Sequence, residues 1–175
     1  INSPAVEEAL DIGEIDLGLL HPPLERPHLR QLPLPDEPMV LAMPVGHPLA
    51  DLPLIDFADL AGEPLLTAPR SVGPVLFDKL IGTFRGAGVE PRIVQEATPV
   101  TTLAGLVAAG AGIGFVTQGV AHATRPGVEF REVVGAPGVP MALAWAPPDP
   151  TPTAQRFIDV VDAVWRRRQP HSAER

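Results

Sequence analysis

Apolar positions recur at helical spacing in several stretches of this chain and gather into runs of strand length between them. In 98–118, Val100, Leu103, Ala104 and Val107 fall on one helical face, and 112–116 follows as a short apolar run. Thr98-Pro99 reads as the helix start, with the hydroxyl accepting a free backbone N–H and proline fitting the first turn. Gly110 reads as its stop, in the left-handed conformation open to glycine. Near the front, Ser3-Pro4 repeats the start chemistry, with Glu7 and Glu8 in early turns where the helix dipole favours negative charge. A short helix over 5–12 ends at Gly13, and a buried strand over 15–20 leads to the turn His21-Pro22-Pro23.

The remaining pattern continues the alternation. An exposed strand is predicted at 29–34, a dense apolar strand broken by Pro44 at 38–45, one helical turn at 56–60 and a strand at 63–67. Leu76, Phe77, Leu80, Ile81 and Phe84 mark a helix face closed by Gly86 and Gly88, and 92–95, 128–133 and 141–146 read as strands. Thr151-Pro152 starts a last helix, whose stripe is Ala154, Phe157, Ile158, Val161, Val164 and Trp165 and whose end carries Arg166, Arg167 and Arg168. Short strands alternating with helices predict an α/β fold, with mainly parallel sheets and right-handed crossovers.

Glycines 110, 112 and 114 invite a nucleotide-binding reading, but that fingerprint runs strand, glycine turn, helix, and here the order is reversed. A helix cap with close helix–strand packing is the better reading, and no cofactor is expected. The net charge of −8 argues against this stretch gripping DNA itself. Without cysteine the chain has neither disulfides nor thiolate metal sites, which suits a reducing cytoplasm. The apolar-rich run at 103–116 is interrupted by glycines and falls short of the roughly 20 residues that cross a bilayer. The 23 prolines are scattered at element boundaries as punctuation. Histidines 21, 28, 47, 122 and 171 lack metal-ligand spacing, and His21 and His47 adjoin prolines in turns. Ser3, Ser71 and Ser172 lie in no nucleophile elbow, so no catalytic set or metal site emerges.

In α/β sheets ligands collect at the carboxyl ends of strands, near helix N-termini. The helix starts at Ser3, near 71–74 and at Thr98 are therefore candidates for one anion site, although simple capping explains any single one of them.

Three stretches, EALDIGEIDLGLL at 8–20, VGHPLAD at 45–51 and above all GLVAAGAGIGFV at 105–116, resemble the effector-binding domain of LysR-type transcriptional regulators. The resemblance extends over nearly the whole chain. It implies a two-lobed type II periplasmic-binding-protein-like fold, with lobe I at 1–36 plus 147–175, lobe II at 37–146, and crossover strands at about 38–45 and 141–146. It also implies a small-molecule effector in the cleft between the lobes, contacted by Ser3, the loop 67–74 with Thr67, Arg70 and Ser71, then Thr98 and Thr101, and finally Thr117 and Gln118. Where the family often has proline and serine after the strand, this chain has Thr117-Gln118-Gly119. A carboxylate best satisfies free N–H groups plus hydroxyls; Arg70 is either a bidentate contact for it or a solvated loop residue.

The family pattern places a winged helix-turn-helix, a linker helix and the first strand and helix of lobe I ahead of anything matching Ile1. The expectations that follow are an incomplete lobe I, with the isolated chain weakly stable unless a preceding segment completes it, DNA contact only through that N-terminal domain, a homodimer or homotetramer, and a cytoplasmic location. A solute-binding receptor of a transport system is the alternative. An enzyme reusing the fold, as some pyrrole-forming deaminases do, would carry a cysteine that this chain lacks.

Overall fold

The computed structural model describes residues 3–122, 126–148 and 150–168. His171 and Ser172 lie outside the described residues. The chain divides into two compact units, one formed by Ile1–Asp36 with Pro140–Arg175 and the other by Glu37–Val139.

The second unit is built on five strands in the order β5-β4-β6-β3-β7: β3 (Met39–Pro44), β4 (Pro64–Thr67), β5 (Arg92–Glu96), β6 (Ile113–Thr117) and β7 (Val128–Arg131). Strand β3 is apolar at nearly every position because it is covered on both faces. Met39, Leu41 and Met43 enter one core with Leu65, Ile113 and Phe115, while Val40 and Ala42 enter another with Leu66 and Val116. Helix α2 (Pro74–Gly86) covers the first face through Leu80 and Phe84; α3 (Val100–Ala108) covers the second through Leu103 and Val107. The first core is keyed by aromatic rings, Phe57 stacking on Phe115 at 5.5 Å and meeting Phe84 edge-on at 4.9 Å.

The sheet is mixed, which corrects the expectation of mainly parallel strands. Strand β4 runs parallel to β5 and β6, but β3 is antiparallel to both β6 and β7. Alternation of strands and helices does not determine the direction of a strand that enters without a helix before it, and β3 is such a strand. Every residue of β5 is exposed, as befits an edge strand.

The first unit holds α1 (Ser3–Asp11), β1 (Gly18–Leu20), β2 (Arg30–Glu37), most of β8 (Val139–Trp145) and α5 (Pro152–Arg168). Its sheet has the order β1-β8-β2, with β1 antiparallel to β8. Leu10, Leu20, Leu29, Ala142 and Ala144 form its core. Helix α1 lies tightly on β1 because residue 18 is glycine: a Cβ there would stand 2.4 Å from Val6 Cγ1. The strand expected at 15–20 is thus only its last three residues.

Local closures follow the glycines. Gly110 takes φ +79° and donates to Val107 O, while Ala111 donates to Leu106 O, the Schellman arrangement that satisfies the last carbonyls of α3. Gly13 closes α1 and Gly88 closes α2 in the same way, so Gly86 belongs to the helix and does not end it. Thr151 Oγ1 accepts from Ala154 N, the cap expected of α5.

Two faces differ from the pattern. Val100 opens α3 and is exposed, and only Leu103, Ala104 and Val107 of its expected face are buried. On α5, Ala154 and Ile158 are buried while Phe157 and Val164 are 54% and 44% exposed. Periodicity locates the face of a helix but not how much of it a neighbour covers. The chain between Gly110 and β6 tests the glycine argument: Gly112 has φ +154°, and a Cβ there would lie 2.2 Å from Pro64 O, whereas one at Gly82 in α2 meets nothing. We expect Gly112→Ala to lower the unfolding free energy by about 2–4 kcal/mol and Gly82→Ala to raise it by about 0.5–1 kcal/mol, both read by urea denaturation.

Candidate functional site

Strands β4, β5 and β6 are parallel, so their carboxyl ends share one edge of the sheet, with Thr67 paired to Glu96 in register. Each strand hands the chain to a helix from that edge: β4 to α2, β5 to α3, and β6 to α4 (Gln118–His122). The connectivity therefore brings together Thr67, the loop with Arg70 and Ser71, Thr98, Thr101, Thr117 and Gln118. Ser3 belongs to the other unit.

Thr67 is buried, and its Oγ1 donates to Ala68 O while its carbonyl accepts from Ala97 N, so β4 and the residue after β5 are tied at the edge. Ser71 is exposed, in the turn before Pro74, which occupies the first position of α2 as the sequence predicts. Thr98 and Thr101 are exposed. The Thr98 hydroxyl does not cap α3: Pro99 is the N-cap, without a side-chain hydrogen bond, and its carbonyl accepts from Thr102 N at 2.8 Å. Proline holds the extended backbone of a cap there, displacing threonine from that position.

Arg70 is engaged within its own segment. Its Nε and Nη2 donate to the two carboxylate oxygens of Asp78 at 2.7 and 2.6 Å, a bidentate pair that raises the pKa of the guanidinium and lowers that of Asp78. Asp78 lies eight residues on, in α2, and separation along the chain gives no sign of this pairing.

Glu37, which the motif reading did not mark, also reaches this edge. Its Oε1 accepts from Gly119 N at 2.9 Å, and a Cβ at Gly119 would stand 2.7 Å from that oxygen. The amide at 119 is thus already matched by a carboxylate.

In the first unit, three polar residues of α1 at intervals of four hold the loop 21–28. Ser3 Oγ accepts from His21 N at 3.0 Å. Glu7, 1% exposed, accepts from Glu25 N and Arg26 N at 3.2 and 2.8 Å. Asp11 takes His28 Nε2 at 2.7 Å and Arg26 Nε at 3.3 Å. Two sequence readings are corrected here. Ser3 is inside the helix and serves the loop rather than capping α1, and Glu7 is turned into the loop's backbone instead of answering the helix dipole. The spacing 3, 7, 11 was visible, but nothing in it identifies backbone amides as the partners.

A shallow apolar depression touches Phe57, Thr83 and Val134 near the far end of α2 and includes none of these candidates. Among the described residues no cluster of His, Cys, Asp and Glu could hold a metal ion, and no helix is long and apolar enough to cross a membrane.

The model of the LysR substrate binding domain matches residues 1–166. The chain belongs to the LysR family. The HTH-type transcriptional regulator AlsR of Bacillus subtilis is 38% identical over 133 residues, 76% of this chain and 44% of AlsR. The Hca operon transcriptional activator HcaR of Escherichia coli is 31% identical over 156 residues, 89% of this chain and 53% of HcaR. The chain thus spans about half the length of these relatives, which are transcription regulators and not enzymes. The crystal structure of CbnR, a LysR family transcriptional regulator, superposes with a TM-score of 0.82 at 26% identity, covering 94% of this chain and 57% of CbnR. The BenM effector binding domain with its effector benzoate gives 0.80 at 22% identity, covering all of this chain and 82% of that one. The latter likeness carries the fold alone, the α/β periplasmic-binding-protein-like arrangement expected from the motifs.

The α1 ladder of this LysR-type chain generates two expectations. Glu7→Gln places an amide N–H2 against two backbone donors and should lower stability by about 1–3 kcal/mol, while Glu8→Gln on the exposed face should stay within about 0.5 kcal/mol. Asp11 is held below the usual carboxylate range, first by its hydrogen bond from His28 and further by Arg26. A lowered native pKa gives stability that is complete above the unfolded value and lost as pH falls through the native one. The stability difference between the wild type and Asp11→Asn should therefore shrink below about pH 4, as read by denaturation across pH.

Proposed function

We propose that this chain is the ligand-sensing domain of a LysR-type transcription regulator and binds a small organic anion between lobe I and lobe II. The supporting observation is the shared carboxyl edge of β4, β5 and β6, where the starts of α2 and α3 and the residues Ser71, Thr98 and Thr101 gather around the buried Thr67. Several N–H groups and hydroxyl donors on one edge suit a carboxylate, whose oxygens accept and do not donate. Ser3 at the start of α1 supplies the lobe I side, and Thr117 and Gln118 the wall beyond β6. Arg70 takes part by exchanging Asp78 for the ligand's carboxylate.

Binding alters the relative arrangement of the lobes only by as much as the ligand prefers one arrangement over another. In the intact regulator, a cytoplasmic homodimer or homotetramer in this reading, that preference is passed to helix-turn-helix domains that contact DNA. The regulator character of the relatives favours this over a transport receptor.

The upstream reading frame should encode a basic helix-turn-helix segment of roughly 60 residues followed by a linker helix. A signal peptide there instead would sink the regulator reading. Calorimetric titration of the full protein with benzoate, shikimate and succinate should find at least one ligand. The Ser3→Ala and Thr98→Ala substitutions should each weaken it about tenfold, the loss of one charge-assisted hydrogen bond. Unchanged affinity in the double variant would remove both residues from the site.

A further inference from the structure

His21 follows β1 directly and meets both elements that flank it. Its backbone N donates to Ser3 Oγ at 3.0 Å, so the serine oxygen accepts one hydrogen bond here and its own hydroxyl hydrogen is not used in that bond. Its ring Nδ1 lies 2.9 Å from Pro140 O. A carbonyl only accepts, so Nδ1 must carry the hydrogen, and the tautomer is set by the fold. Nε2 is then the ring's variable position: an acceptor in the neutral ring, a charged donor after protonation. The residue is exposed, and Pro140 is where the chain re-enters the first unit.

The neighbouring charges do not answer this ring. Strands β1 and β8 carry no charged residue. On α1, Glu7 and Asp11 are committed to residues 25, 26 and 28, and Glu8 lies on the exposed side. In the loop, Arg26 and His28 are turned to Asp11, and Glu25 bonds through its backbone N to Glu7. Among the described residues Pro140 O is the one hydrogen-bond partner of the His21 ring.

We infer that His21 binds the effector's carboxylate as an imidazolium beside the Ser3 hydroxyl, so that effector binding takes up a proton at Nε2. This rests on the reading of the Ser3 end of α1 as part of the effector site. A neutral ring with Nδ1 already protonated offers a lone pair at Nε2, which repels a carboxylate; protonation converts the same atom into a charge-assisted donor. The proton comes from solvent, and no bond other than N–H is made. The ligand class is accordingly a carboxylate whose affinity falls as pH rises.

The test is calorimetry of the full-length protein with benzoate, shikimate and succinate between pH 6 and 8, in buffers of differing ionisation enthalpy. NMR of the histidine Cε1–H signals with and without the bound acid accompanies it. The wild type should take up a fraction of a proton that grows with pH, and affinity should fall by up to tenfold per pH unit once the free ring is neutral. The His21 signal should titrate at a higher pH in the complex. His21→Asn keeps a donor in the Nδ1 position for Pro140 O and removes Nε2; it should abolish proton uptake and flatten the pH profile while leaving the melting temperature near that of the wild type. If an acid binds without proton uptake, or with the same pH profile in His21→Asn, the inference fails, and sensitivity to Ser3→Ala and Thr98→Ala would show that the site reading survives it. If none of the acids binds at pH 6, the organic-anion reading and this inference fall together.

Discussion

The second unit depends on burying β3 and β6 on both faces while pairing both of their edges. A strand with apolar side chains on each face, as in Met39-Val40-Leu41-Ala42-Met43, cannot lie at the border of a sheet without exposing unpaired amides or greasy surface. Once β3 and β6 occupy the interior, β4 extends the sheet on one side and β7 on the other, and α2 and α3 must lie on opposite faces. Gly114 permits the close approach on the α3 side, since a Cβ there would meet Leu103 Cδ2 at 2.8 Å. The edge where β4, β5 and β6 end together is a product of this packing. The polar residues gathered there are the ones the core leaves over.

That relation explains which parts of the molecule were legible in the sequence. Dense apolar runs, glycine stops and proline starts each express a local constraint, and the buried strands, the closures at Gly13 and Gly110 and the cap at Thr151 follow from them. The motifs GLVAAGAGIGFV and VGHPLAD carried the family, because spacing along the chain is what a motif records. Pairing partners distant in sequence were not legible. The antiparallel direction of β3, the engagement of Arg70 by Asp78 and the reach of Glu37 to Gly119 all depend on where separate segments meet. The cap of α3 was misread for a different reason: threonine and proline are both good starters, and their order leaves the proline in the cap.

The candidate residues divide into those that hold the scaffold and those turned outward. Thr67 is buried and its bonds join neighbouring strands, so its role is partly architectural; Thr98 and Ser71 are exposed on short connections. Such a division is usual where rigid strands present short loops, since the strands fix position and the loops carry chemistry. Glu37 complicates the electrostatics at this edge. A carboxylate is already in place on the amide at Gly119, so in the proposed site an anionic ligand would meet both attraction from the helix starts and repulsion from this side.

Surface loops ordinarily accept extra residues at little expense, because lengthening a flexible connection adds only a small entropy term. The segment from His21 to His28 departs from that behaviour. Ser3, Glu7 and Asp11 grip it at successive turns of one helix, so its path is indexed to the helical repeat. An inserted or deleted residue between the grips would displace every later one, stranding the buried Glu7 carboxylate without its amides. This stretch of loop is therefore constrained as secondary structure is, with room for substitution but not for a change of length.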